Sequence, residues 1–132
     1  MIRLTELMPN DTNHIAGVFL VMKKKLLILQ KHNGTFDIPK GHIHKNETPV
    51  QGASREMREE TGIDLPEYTL HLLGKKQIEP DKDFYMFYHR TNVEYDVVVS
   101  DEHNGFEYIE LNKLRTDLMW SPTLSFLKQL EK

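Results

Sequence analysis

Glu56, Glu59 and Glu60 crowd into five consecutive positions of a segment, Gly41 to Ile63, that reads GHIHKNETPVQGASREMREETGI. In a helix turning about 100° per residue, Glu59 lies about 60° to one side of Glu56 and Glu60 about 40° to the other. All three carboxylates then share one face. Each like-charge pair at these spacings destabilises a helix by roughly a few tenths of a kcal/mol, so a purely structural helix gains nothing from the arrangement. A divalent cation turns the repulsion into a site. Clustered oxygen ligands suit Mg²⁺ or Mn²⁺, which combine carboxylates with substrate phosphates, so phosphate chemistry is implied along with the metal.

The remainder of the segment fits a helix from Thr48 to Thr61. Thr48-Pro49 suits its first turn, and Gly62 suits a left-handed cap at its end. Val50, Ala53 and Met57 fall on an adjacent stripe that packs on a core, which leaves the acidic face in a cleft. Gly52 sits one turn before Glu56 on nearly the same side. It costs the helix about 1 kcal/mol relative to alanine, and it leaves room for a ligand or another backbone to approach.

The pattern GxxxxxE, seven residues, then RExxEExG and an aliphatic residue is matched by Gly41, Glu47, Arg55, Glu56, Glu59, Glu60, Gly62 and Ile63. On these residues the chain resembles the Nudix hydrolases. The resemblance implies an α/β fold, the Nudix α/β/α sandwich with a mixed central β-sheet, over a single domain spanning 1–132. It implies that Glu56, Glu59 and Glu60 hold Mg²⁺ or Mn²⁺, with a backbone carbonyl from Lys40 or Gly41 as a further ligand. Glu47 and Arg55 resemble the family's internal ion pair, which ties the loop to the helix and orients the carboxylates. An exposed pair contributes at most about 1 kcal/mol, so an orienting role explains these residues better than stability does.

The rest of the sequence is compatible with that fold. His14 to Met22 and Lys25 to Gln30 read as a hairpin, and Thr35 to Ile38 as a short strand entering Pro39-Lys40-Gly41. Tyr68 to Ile78 and Asp83 to Thr91 read as strands about a Glu79-Pro80-Asp81 turn, with shorter strands at Val97 to Val99 and Phe106 to Leu111. Ser121 caps a terminal helix running to about Leu130, in which Leu124, Phe126, Leu127 and Leu130 are available for packing. A chain of 132 residues, 39% hydrophobic and 28% charged, has the makings of one globular core. Its net charge of -3 argues against broad electrostatic binding of nucleic acid. The absence of cysteine excludes thiol chemistry, and the lack of a signal-peptide or membrane-spanning pattern points to the cytoplasm.

Substrate choice is written outside the helix. Phe36 to His42, FDIPKGH, resembles members acting on dinucleoside polyphosphates, diphosphoinositol polyphosphates or the 5′ ends of RNA. Lys40 is the candidate to meet a phosphate there. Ser100 to Leu111, SDEHNGFEYIEL, resembles the downstream segment of asymmetrical diadenosine tetraphosphate hydrolases. That comparison makes Glu102 a fourth carboxylate, as metal ligand or general base alongside Glu59. It also sets Tyr85 where an adenine stacks, although one face of that strand must simply be core. His42 and His103 are the histidines to watch near phosphate.

The favoured reading is hydrolysis of a nucleoside polyphosphate by water attack on phosphorus, preferentially of a dinucleoside tetraphosphate (Ap4A). Alternatives are a 5′-end RNA pyrophosphohydrolase, the one case that brings in nucleic acid, a diphosphoinositol polyphosphate hydrolase, or a binding module without turnover. The sequence departs from the family at His44, Asn46 and Phe36, where many relatives have glutamate, glycine and, in the tetraphosphate group, tryptophan. Asparagine tolerates a positive φ, so the turn at Asn46 survives.

Overall fold

An unbroken apolar stretch from Ile15 to Met22 needs cover on both faces, and it forms most of the longest strand, β1 (Asp11–Met22). The computed structural model describes residues 11–130. Side chains alternate across β1. Ile15, Phe19 and Val21 enter one core with Phe84, Met86, Phe126, Leu127 and Leu130. Ala16, Val18 and Leu20 enter a second core with Ala53, Met57, Ile63 and Leu65. Burial on two sides is why this strand shows no polar alternation.

Nine further strands and α-helices surround β1 among the described residues: β2 (Lys25–Lys31), β3 (Phe36–Asp37), β4 (Lys40–His44), α1 (Pro49–Thr61), β5 (His71–Glu79), β6 (Lys82–Thr91), β7 (His103–Glu110), α2 (Ser121–Leu124) and α3 (Leu127–Leu130). The seven strands form one mixed sheet, in which β1 runs parallel to β6 and antiparallel to β2 and β4. The β1–β2 hairpin pairs only at its closed end, Val21 with Leu26 and Met22 with Lys25. Beyond it β4 takes the edge of β1, with Gly17 opposite Lys40 and Ala16 opposite Gly41. With α1 on one face and the C-terminal helical turns on the other, the fold is the expected α/β/α sandwich. No helix among the described residues is long and apolar enough to cross a membrane. Residues 1–10 and 131–132 of the expected 1–132 domain lie outside the described residues.

Several expected elements differ in detail. Lys40–His44 forms a strand beyond those expected, because β1 offers it a free edge. Val97 to Val99 is not a strand. That segment crosses the end of α1, where the Val98 amide donates to the Thr61 carbonyl at 2.9 Å, and Val98 stays 75% exposed. Tyr68 belongs to a 3₁₀ turn, Glu67–Thr69, ahead of β5. The terminal helix is two single turns, α2 and α3, and Ser121 lies inside α2 behind Trp120 rather than capping it. The break comes at Ser125, whose hydroxyl donates back to the Pro122 carbonyl at 2.6 Å. Phe126, Leu127 and Leu130 nonetheless reach the core as expected, with Leu124 packed beside them.

Candidate active site

The position of α1 is set at both ends by its own sequence. Thr48 and Gln51 form a reciprocal capping box, in which the Thr48 hydroxyl accepts from the Gln51 amide at 3.2 Å and the Gln51 side chain accepts from the Thr48 amide at 2.8 Å. Gly62 closes the helix at φ 76°. Asn46 takes a positive φ of 69° in the preceding loop, as anticipated for a residue standing in for glycine. Met57 and Ala53 are fully buried against β1, which turns the carboxylate face toward β4.

Arg55 is the hub of that face. Its Nε donates to Glu47 at 2.7 Å, Nη1 to Glu56 at 2.8 Å and to Glu59 at 2.9 Å, and Nη2 to the His42 carbonyl at 2.8 Å. Burial alone would lower the Arg55 pKa, but its hydrogen bonds with Glu47, Glu56 and Glu59 outweigh this and raise it. Glu47 likewise meets a burial penalty that Arg55 and the His44 amide overcome, leaving its carboxyl below the usual range. The expected Glu47–Arg55 pair is therefore present, and it ties the β4–α1 loop to the carboxylates.

Gly41 is where β4 comes closest to these groups. A Cβ there would collide with the Glu56 carboxylate. Gly52 has the parallel role one turn earlier, facing Ile43 and the Glu47 carboxylate. Because the obstacle at Gly41 is the end of a flexible side chain, Gly41→Ala is expected to fold normally and displace Glu56. The expected result is a 10–100-fold loss of metal affinity or hydrolysis, on the scale seen when groups orienting metal ligands are altered, with thermal stability little changed. Calorimetric titration with Mn²⁺ beside a melting curve would check both halves.

Burial pushes the Glu56 carboxyl up to about 7, partly opposed by Arg55. Burial and the nearby Glu56 charge push Glu60 up to about 9, although the Lys40 amide donates to Glu60 at 3.1 Å. Glu60, Glu102 and His103 bring three ligand atoms within 4.8 Å of one another. Glu56 and Glu60, desolvated beside the exposed Glu102, fit a divalent cation, which would replace the protons that burial forces onto the first two. Glu59 stands apart, about half exposed at the rim and held by Arg55.

The other expected site residues are distributed around this centre. Alternation along β4 turns Gly41 and Ile43 toward α1, so His42 projects from the opposite face. Burial lowers the His42 pKa, with Asp11, Lys82 and Lys40 as its charged neighbours. Lys40 sends its amide to Glu60 but its ammonium to Asp37 at 3.1 Å, over the Trp120 ring at 4.9 Å. There it borders a cleft of about 300 Å³ lined also by Lys31, Phe36 and Asp117. Tyr85 is half-buried on the α1 side of β6, with the Lys75 ammonium 5.9 Å from its ring centre.

Sequence reasoning missed Trp120 and His32. Trp120 is the single tryptophan, which was its only signal in the sequence; the fold leaves it 38% exposed beside Lys40. His32 hydrogen-bonds through one ring nitrogen to the Asp101 carbonyl at 2.7 Å and through the other to the Asn104 side chain. It thereby fastens both sides of Glu102-His103. Nothing short of the fold connects residues so distant in sequence.

Residues 11–130 match the NUDIX domain family. Among curated relatives, asymmetrical bis(5′-nucleosyl)-tetraphosphatase of Sus scrofa is 29% identical over 97 residues, covering 67% of this chain and 66% of that protein. The 8-oxo-dGTP diphosphatase of Proteus vulgaris is 41% identical over 63 residues, covering 43% of this chain and 56% of that protein. The matches span only 34% to 66% of the lengths of the curated relatives. Among solved structures, the Caenorhabditis elegans Ap4A hydrolase binary complex superposes with a TM-score of 0.72 at 24% identity, covering 89% of this chain and 95% of that one. A MutT NUDIX hydrolase from Burkholderia pseudomallei gives 0.73 at 20%, covering 89% and 97%. At such identities the superpositions establish the fold, and the family match across nearly the whole chain carries the rest: the chain belongs to the NUDIX domain family.

Proposed function

We propose that the chain is a divalent-metal-dependent pyrophosphohydrolase acting on a nucleoside polyphosphate, preferentially a dinucleoside tetraphosphate. The observation that carries the reaction class is the pair Glu56 and Glu60, buried carboxylates whose pKa values rise to about 7 and about 9 without a cation. Glu56, Glu60 and Glu102, with the carbonyl of Lys40 or Gly41, would hold Mg²⁺ or Mn²⁺. A bound ion of this kind lowers the pKa of a water and offsets phosphate charge. Arg55 orients Glu56 and Glu59, and Glu59 at the rim accepts the proton of the attacking water, with Glu102 as the alternative base. The leaving group is a phosphate or nucleoside phosphate, so no covalent enzyme intermediate is required.

The register of the sheet supports a nucleoside at a distance from this centre. Gly41, Ala16, Tyr85 and Lys75 lie opposite one another in a single row across β4, β1, β6 and β5. At about 4.8 Å per strand, Tyr85 is about 10 Å from Gly41 on the same face as Glu56, within reach of a base whose phosphates lie at the carboxylates. The Phe36–Trp120 cleft beside Lys40 supports a second aromatic platform. A base stacked on either ring contributes about 1–3 kcal/mol. The pig relative's name agrees with two nucleosides joined by a phosphate chain.

A hydrolysis screen with Mg²⁺ over dinucleoside polyphosphates, nucleoside triphosphates, sugar nucleotides, diphosphoinositol polyphosphates and triphosphorylated RNA, with products identified, tests this reading. Dinucleoside tetraphosphate is expected to turn over fastest. Faster turnover of RNA or of the inositol compounds would replace the substrate assignment, and ion binding with no turnover would leave a binding module. Glu59→Gln is expected to cut hydrolysis by roughly 100-fold or more with the fold intact, the scale of a lost general base. Undiminished activity in that variant would remove Glu59 from its role.

A further inference from the structure

Within the group formed by Glu60, Glu102 and His103, the histidine is the member that carboxylate chemistry does not explain. The residue is nine-tenths buried, at 8% exposure. Its Nδ1 is fully shielded from solvent and has no hydrogen-bond partner. Leaving a buried polar nitrogen unpaired is unfavourable, so such an atom needs a partner in the working state. A ring nitrogen of this histidine and the oxygens of Glu60 and Glu102 lie within 4.8 Å of one another. Two donors each about 2.1 Å from one ion are at most about 4.2 Å apart, so a small side-chain rotation closes the group on a cation.

We propose that His103 is a nitrogen ligand which, with Glu60 and Glu102, makes a mixed nitrogen–oxygen metal position favouring Mn²⁺ or Co²⁺ over Mg²⁺. This rests on the reading of the site as a divalent-metal centre and adds to it a ligand type and a metal preference. Imidazole suits the transition ions, whereas Mg²⁺ selects oxygen and keeps several waters. The two consecutive ligands come from a segment that is already held in place. His32 binds Asp101 on one side and Asn104 on the other, and the His103 amide donates to the Ser100 carbonyl at 3.1 Å. Glu60 approaches from α1, whose carboxylate face is fixed by the packing of Met57 and Ala53. The cation would therefore link α1 to the start of β7, while Glu56 remains an oxygen donor on the helix and Glu59 stays at the rim with Arg55.

The test uses the whole chain, stripped of metal with a chelator and reloaded with one equivalent of Mn²⁺. Electron spin-echo envelope modulation is expected to show ¹⁴N coupling from a directly bound imidazole. That coupling should vanish in His103→Gln. In calorimetric titrations the same variant is expected to bind Mn²⁺ about 10–100-fold more weakly while its Mg²⁺ affinity falls by less than about threefold. Mn²⁺ that binds tightly to the unaltered chain without nitrogen coupling overturns the proposal, and so does coupling that persists in His103→Gln. Equal losses for Mn²⁺ and Mg²⁺ overturn the metal preference. Failure of the unaltered chain to bind any divalent ion would instead overturn the metal-dependent reading of the whole site. The spectrum of the unaltered chain decides the question even if the variant folds poorly.

Discussion

Replacing Arg55 by methionine is expected to destabilise the protein by about 3–5 kcal/mol and to leave almost no hydrolysis, because it strands carboxylates that rely on its guanidinium. Glu47 and Glu56 are only 18% and 14% exposed at the side chain, and both hydrogen-bond directly to the guanidinium. The His42 carbonyl loses the same partner. Methionine fills similar volume, so the loss reflects unpaired polar groups rather than a cavity. Arg55→Lys is expected to recover only part of the stability, since one ammonium cannot reach Glu47, Glu56, Glu59 and the His42 carbonyl from a single point. Urea unfolding of the three proteins gives the ranking. A methionine variant within about 1 kcal/mol of the native protein would reduce Arg55 to an ordinary surface ion pair.

The same network shows which parts of the site were readable from sequence. The helix was, because its acidic face, its start at Thr48-Pro49 and its stop at Gly62 are all local properties of consecutive residues, although Thr48 caps the helix rather than beginning it. The Glu47–Arg55 pair and the proximity of Glu102 rested on family resemblance, and the structure brings each of them to the helix. What local pattern did not reveal depends on partners far along the chain. Lys40 to His44 does not read as a strand until the free edge of β1 makes it one, and that pairing is what drives Gly41 against Glu56. Val97 to Val99 has strand composition but meets the end of α1 instead of a sheet edge. His42 and His103 looked alike as histidines near phosphate. Strand alternation turns the first away from the carboxylates, while the bend between Ser100 and His103 carries the second into them.

Glu56 and Glu60 also predict that the metal-free protein loses stability as pH rises, opposite to the usual behaviour of ion-paired carboxylates. Their folded pKa values, about 7 and about 9, lie above the ordinary glutamate value of 4.5, so the folded state keeps protons that the unfolded chain releases. Their contribution is complete below about pH 4.5 and is lost as pH climbs through about 7 and then about 9. Each unit of displacement corresponds to about 1.4 kcal/mol, so the loss for the two amounts to several kcal/mol. Glu56 and Glu60 repel each other and titrate as a pair, which makes the decline gradual across that window. Saturating Mg²⁺ or Mn²⁺ is expected to flatten the decline by stabilising the ionised carboxylates. The same linkage requires ion binding to expel protons, so apparent Mg²⁺ affinity should rise by up to about tenfold per pH unit for each proton displaced. Urea unfolding in chelator at about pH 5.5 and about pH 8.5, repeated with Mg²⁺, measures the first effect. Calorimetry in buffers of different ionisation enthalpy measures the second. Glu60→Gln separates stability from function, because a neutral isostere should make the metal-free protein more stable at about pH 8.5 while removing a ligand the bound ion requires. Equal stability of the native and Glu60→Gln proteins at both pH values would mean that Glu60 carries its charge without strain, and the case for a site built around a cation would lose its main physical support.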